Sequence, residues 1–166
     1  MKYLFFLLLL VQCKQKTKND AVVKKTYPEA VGYLNDFAHV LSPAEASSLD
    51  STLREFEKRT TNEIAVVTID SLPSDTTTIE HYTLGLARQW GVGKKESDNG
   101  LVFLFAIKNR KVRMETGTGT MKVLSNEQCG AIIDSFIKPN FKNQDYYKGI
   151  SQALAATMAH LSKTGN

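Results

Sequence analysis

The side chains in this 166-residue chain that could do chemistry are mostly oxygen donors in predicted loops. Asp98 and Asn99, followed by Gly100, stand just before an apolar run. Asp36 precedes the first helical pattern, Asp70 ends the first apolar strand pattern, and Asp145 precedes the last helix. Carboxylates, amide oxygens and loop carbonyls are the ligands that Ca²⁺ and Mg²⁺ prefer. Taken singly, each of these residues is better read as a helix cap or a turn residue than as a ligand. Other chemistries lack their signatures. There is no HExxH zinc helix, no GxSxG elbow and no P-loop. Gly117-Thr118-Gly119 lacks the third glycine of a dinucleotide fingerprint and reads as a turn. His39, His81 and His160 are scattered. Cys129 falls among apolar residues of a predicted helix, without the following arginine of a cysteine-phosphatase loop, and reads as a buried thiol.

The elements that must position these groups follow from periodicity and caps. Ser42-Pro43-Ala44-Glu45 forms a capping box with proline in the first turn. Leu49, Leu53 and Phe56 continue it as a helix ending near Thr60. The run from Glu63 to Ile69 predicts a strand buried on both faces. Ile79, Tyr82, Leu86 and Trp90 share one helical face, stopped by Gly91 and Gly93. A second buried strand spans Leu101 to Ile107, Lys108-Asn109-Arg110 turns the chain, and Lys111 to Thr116 alternates as a half-exposed strand. Gly117 to Gly119 breaks it. Ser125 and Gln128 start a third helix, which Pro139 is expected to close, and the last helix runs from Tyr146 to Leu161. This alternation predicts an α/β fold, a mixed sheet with helices on both faces.

Such a topology sorts the carboxylates into two groups. A helix leading into an adjacent strand runs antiparallel to it, so Asp36 and Asp70 should share the carboxyl edge of the sheet. The third helix should bring Asp145 to that edge. Asp98 and Asn99 belong to the opposite edge, and the hairpin should carry Glu115 to Gly119 back towards them. Ligands of open α/β sheets favour the carboxyl ends of the strands, which prefers the first group.

The N-terminus carries an address. Met1-Lys2-Tyr3 followed by Leu4 to Val11 fits a secretory signal and is too short to span a bilayer. Leu10-Val11-Gln12-Cys13 resembles the lipobox of bacterial lipoproteins, with Gln12 where a small residue is usual; ordinary secretion with Cys13 discarded is the alternative. Residues 1–13 are thus expected to be the signal segment, 14–26 a Lys-rich linker and 27–162 the domain. The formal charge of +4 is divided accordingly: residues 1–25 hold six lysines and one aspartate, and the remainder holds 15 basic and 16 acidic residues. The domain therefore offers no overall basic face for nucleic acid. A Lys-rich tether suits anionic lipid, and export to the cell envelope, lipid-anchored at Cys13, is the expected location.

Several strings resemble the TPM domain family of thylakoid-lumen and bacterial envelope proteins. They are Leu34-Asn35-Asp36-Phe37-Ala38 with Val40-Leu41-Ser42-Pro43 and Glu45, Glu63 to Thr68, Trp90-Gly91-Val92-Gly93-Lys94, Asp98-Asn99-Gly100-Leu101-Val102, Val112 to Gly117, and Asp145-Tyr146-Tyr147-Lys148-Gly149. The resemblance implies a Rossmann-like αβα sandwich at a membrane surface. It also implies divalent-cation binding or acid phosphatase activity in some members and accessory or assembly roles in others. Asp98-Asn99-Gly100, Asp36 and Asp145 map onto it directly. Met121 and Leu124-Ser125-Asn126 depart from it, replacing carboxylates near the Asp98 edge. The favoured reading is an anchored module that binds Ca²⁺ or Mg²⁺ and a membrane-protein partner. A metal-dependent acid phosphatase, with the cation activating water on a phosphate ester, is the alternative, and a ligand-free spacer is a third.

Overall fold

Glu63–Ile69 and Gly100–Ala106 do not alternate, because both lie in the middle of a sheet covered on both faces. The computed structural model describes residues 27–162; the expected signal segment with Cys13 and the expected Lys-rich linker lie outside the described residues. In chain order the elements are β1 (Leu34–Asp36), α1 (Pro43–Thr60), β2 (Glu63–Ile69), α2 (Ile79–Trp90), β3 (Gly100–Ala106), β4 (Lys111–Thr116), α3 (Thr118–Met121), α4 (Asn126–Ile132), a π-turn (Ile133–Ile137), α5 (Lys138–Lys142) and α6 (Tyr146–Leu161). The sheet order is β1-β2-β3-β4, with β1, β2 and β3 parallel and β4 antiparallel to β3.

Each strand's two faces feed different cores. Ile64, Val66, Leu101, Phe103 and Phe105 join the apolar faces of α1 and α6 with Leu124, Ile132 and Ile137. Ala65, Val67, Val102 and Leu104 pack beneath Ile79, Tyr82 and Leu86 of α2. Burying side chains such as Leu53, Leu86 and Phe103, all at or below 1% exposed, contributes roughly 1.5–3 kcal/mol each. The result is the expected Rossmann-like αβα sandwich. The crossovers β1-α1-β2 and β2-α2-β3 advance in the same direction but carry their helices on opposite faces. They must therefore differ in hand, so one departs from the right-handed rule.

The caps act as predicted. Ser42 and Glu45 exchange hydrogen bonds at the start of α1, and Ser125 and Gln128 do so at α4. Gly91 ends α2 in the left-handed conformation. Three expectations need correction. β1 was not anticipated: Leu-Asn-Asp is a poor strand former, and it is extended because it pairs with Val66 to Thr68. Gly117-Thr118-Gly119 ends β4 but opens the short helix α3. Pro139 does not close the third helix. The chain relaxes into a π-turn and resumes as α5 with Pro139 in the first turn, where its missing N–H is harmless.

The outer strands have guarded edges. Asp50 of α1 accepts the backbone N–H groups of Tyr33, just before β1, and of Leu34, its first residue, at 2.8 and 3.0 Å, and Arg54 holds its other oxygen at 2.8 Å. On β4, Lys111, Arg113 and Glu115 alternate with Val112 and Met114, and Arg113 pairs with Glu115 at 2.8 Å.

Candidate functional site

At the amino edge of the sheet Asn99 ties its own α2–β3 loop to the α1–β2 loop, and Asp98 ties it to the segment that follows β4. Asn99 is only 8% exposed. Nδ2 donates to the Thr61 carbonyl at 2.6 Å and Oδ1 accepts the Lys94 N–H at 2.9 Å. The Glu63 N–H donates to the Asn99 carbonyl, and Glu63 Oε2 accepts the Gly93 N–H at 2.9 Å. The backbone approaches there are too close for side chains. A Cβ on Gly93 would lie 2.5 Å from Gly100 N, and one on Gly117 would lie 2.2 Å from Asp98 O. Thr61 and Asp98 both take positive φ, 63° and 45°, a cost that the surrounding bonds must offset.

Asp98 is exposed at the rim of this junction. One carboxylate oxygen accepts the Thr118 N–H at 2.7 Å, and its carbonyl accepts the Gly119 N–H at 3.0 Å. Hydrogen bonds from the Thr118 backbone and side chain hold its carboxyl below the usual range, so it stays ionised. The hairpin thus returns Gly117 to Gly119 to Asp98, as expected. Glu115 is instead engaged by Arg113.

At the carboxyl edge the aspartates share a side of the sheet but do not converge on one point. Asp36 is consumed locally: it accepts the N–H groups of Val40 and Leu41 at 3.2 and 2.9 Å and the Thr68 hydroxyl. It shapes the β1–α1 connection. Asp70 is exposed and pairs with Lys108 at 3.0 Å. Asp145 caps α6 by accepting the Lys148 N–H. Among the described residues no group of three or more His, Cys, Asp or Glu is gathered as a metal cage. Cys129 is buried, and burial, partly opposed by the charge of Arg113, pushes its thiol up to about 11. It is an inert core thiol.

Sequence reasoning missed a groove of about 500 Å³ at the carboxyl edge, between the β3–β4 turn and α5. Its rim carries Arg110, Lys111, Lys138 and Lys142. The available signal was the i, i+4 pair Lys138 and Lys142 beside Phe141, but the expected helix stop at Pro139 obscured it.

Comparisons with known proteins agree with this architecture. The TPM domain matches residues 34–160. The solution structure of the N-terminal domain of a P. gingivalis protein shares 34% identity and a TM-score of 0.73, over 80% of this chain and 83% of that one. The N-terminal domain of cg2496 from Corynebacterium glutamicum shares 17% identity and a TM-score of 0.58, over 83% and 84% of the two chains. BA42 from the psychrophilic bacterium Bizionia argentinensis shares 17% identity and a TM-score of 0.63, over 74% and 82%. The last two speak to fold alone. No curated protein matches. With the family match spanning most of the chain and a solved domain above 30% identity, this chain belongs to the TPM domain family.

Proposed function

We propose that the chain is a non-catalytic binding module of the cell envelope, tethered to a membrane through lipidated Cys13. Its Asp98 edge takes Ca²⁺ or Mg²⁺, and it serves as an accessory to a membrane-protein complex. The observation that carries the cation part is the state of Asp98: exposed, ionised, and set on a loop that Asn99 and the glycine contacts hold in one shape. Hard cations favour such a carboxylate flanked by loop carbonyls. A single carboxylate implies weak binding, with Kd on the order of 1 mM, the range of extracellular modules. Asp36 is less suited because it is half-buried and both its oxygens serve Val40, Leu41 and Thr68, whereas the Asp98 carboxylate is exposed and serves Thr118 alone, and Asp70 is neutralised by Lys108.

The phosphatase reading needs cation and phosphoryl group side by side. Asp98 and the basic groove lie at opposite ends of β3, about 20 Å apart at a strand's usual rise. That separation favours two binding surfaces over one hydrolytic centre. NMR titration of the full chain with Ca²⁺ and Mg²⁺ tests the cation. Shifts are expected at residues 97–100 and 117–119, and they should vanish in Asp98→Asn. No response up to 10-fold above about 1 mM cation would remove this part of the reading. Mass spectrometry of the mature N-terminus tests the tether: a lipid-modified Cys13 is expected, and an unmodified start beyond Cys13 would remove the anchor.

A further inference from the structure

The carboxyl-edge groove has a composition that neither the fold nor the cation site requires. Outside residues 1–25 the chain has one more acidic than basic residue. Yet Arg110, Lys111, Lys138 and Lys142 gather on one rim, and no carboxylate lines the groove itself. Lys138 pairs with Asp134, whereas Arg110, Lys111 and Lys142 have no ion-pair partner among the described residues. Arg110, Lys111 and Lys138 also border an adjoining hollow that carries Glu80 and Asp134, but the groove's own charged lining is purely basic, and a bound anion would relieve the mutual repulsion there.

Beneath the charges the floor is apolar. Ile107, Val112 and Ile137 form it, and Phe141 and Tyr146 supply ring edges at one end. Those rings meet edge-on with centroids 4.9 Å apart, and Phe141 leans on the buried Phe105 at 5.1 Å, so the aromatic wall is supported from behind. Three unusual backbone features converge on the same place. Arg110 and Gln144 line the groove with φ of 52° and 60°, and Ile137 ends the π-turn. Strained backbone and π-turns concentrate at ligand sites. A cavity of about 500 Å³ lies within the range of small-molecule sites, and the carboxyl edge is where open α/β sheets bind ligands.

We propose that this groove binds a small soluble organic anion, a phosphate or carboxylate head on an aromatic or aliphatic body. The head meets Arg110 and the lysines, and the body lies on Ile107, Val112 and Phe141. This inference does not depend on the Asp98 cation.

Calorimetry and NMR on the full chain test it with four probes: phenyl phosphate, inorganic phosphate, phenol, and phosphatidylglycerol vesicles. Phenyl phosphate should bind, shifting Ile107, Val112 and Ile137, and should weaken as salt rises. Phenol and inorganic phosphate, each carrying half of the recognition, should bind at least about tenfold more weakly. The double variant Arg110→Asn, Lys142→Gln should weaken phenyl phosphate by about tenfold or more. Asparagine tolerates the left-handed conformation at Arg110, and both side chains are exposed, so the fold is kept. Arg88→Gln on α2 should change nothing. Three outcomes would overturn the proposal: equal binding by the double variant, shifts mapping elsewhere, or binding of vesicles without binding of phenyl phosphate, which would make the surface a lipid contact.

Discussion

Asn99→Ala should be among the most damaging single changes at a polar residue of this domain, because Asn99 is buried at the loop junction. The amide makes two bonds, to the Thr61 carbonyl and from the Lys94 N–H, at 2.6 and 2.9 Å. Alanine strands both backbone groups. An unsatisfied buried group costs about 1–3 kcal/mol, and because Thr61 and Lys94 are themselves exposed, water can reach both, which keeps each near the lower limit. The summed loss is about 2–3 kcal/mol, with a further contribution from releasing Thr61 and Asp98 in left-handed backbone. Urea unfolding followed by circular dichroism should show the midpoint falling at constant slope, with Tm lower by about 6–10 °C. Asn99→Asp sets a carboxylate oxygen against the Thr61 carbonyl, so it should cost more than alanine at pH 7 and less in acid, where an O–H donor returns. A loss below about 0.5 kcal/mol for Asn99→Ala would refute the view that this side chain ties the loops together.

Three further outcomes can be measured. The folded-state pKa of Asp98 is depressed from its ordinary 3.8, so its contribution is present above that value and is lost as pH falls through the lower folded value; Asp98→Asn should flatten the acid limb of a stability–pH profile below about pH 4. Gly117→Ala should destabilise by more than about 2 kcal/mol because its Cβ would meet Asp98 O at 2.2 Å, whereas Gly130→Ala, with nothing within 4 Å on α4, should stabilise by about 0.5–1 kcal/mol, both read from urea midpoints. In a Cys13→Ser background Cys129 should resist a thiol reagent at pH 8 in the native state and react in urea, since its pKa near 11 leaves little thiolate; fast native labelling would contradict the burial.

Most of the scaffold was legible because its signals are local. The capping boxes at Ser42 and Ser125, the apolar runs of β2 and β3, and the turn at Lys108 to Arg110 each declare themselves within a few residues. β1 was not, since its extended shape comes from pairing with residues about 32 positions away. The break expected at Pro139 failed because proline also suits a helix start, and the π-turn supplied one. The grouping of Asp98 with Gly117 to Gly119 followed from hairpin topology alone. Asp36 illustrates the limit at the site. Its position at the carboxyl edge could be deduced, but its commitment to Val40, Leu41 and Thr68 depends on loop geometry that no spacing encodes. The groove depends on where the β3–β4 turn meets α5, a tertiary distance.

The two outer strands have a consequence for crowding. An open sheet ends in unpaired backbone groups, and a second copy can add to them strand by strand. Here one side is already occupied by Asp50, whose carboxylate answers the N–H groups of Tyr33 and Leu34 where the strand begins. On the other side, Lys111, Arg113 and Glu115 confront any incoming copy with charges that would have to be dehydrated. Copies of the domain held at high local density should therefore slide past one another without polymerising edge to edge. Asp50→Ala, by uncovering the amides of Tyr33 and Leu34 at the start of this three-residue strand, is the change that would open the sheet to growth.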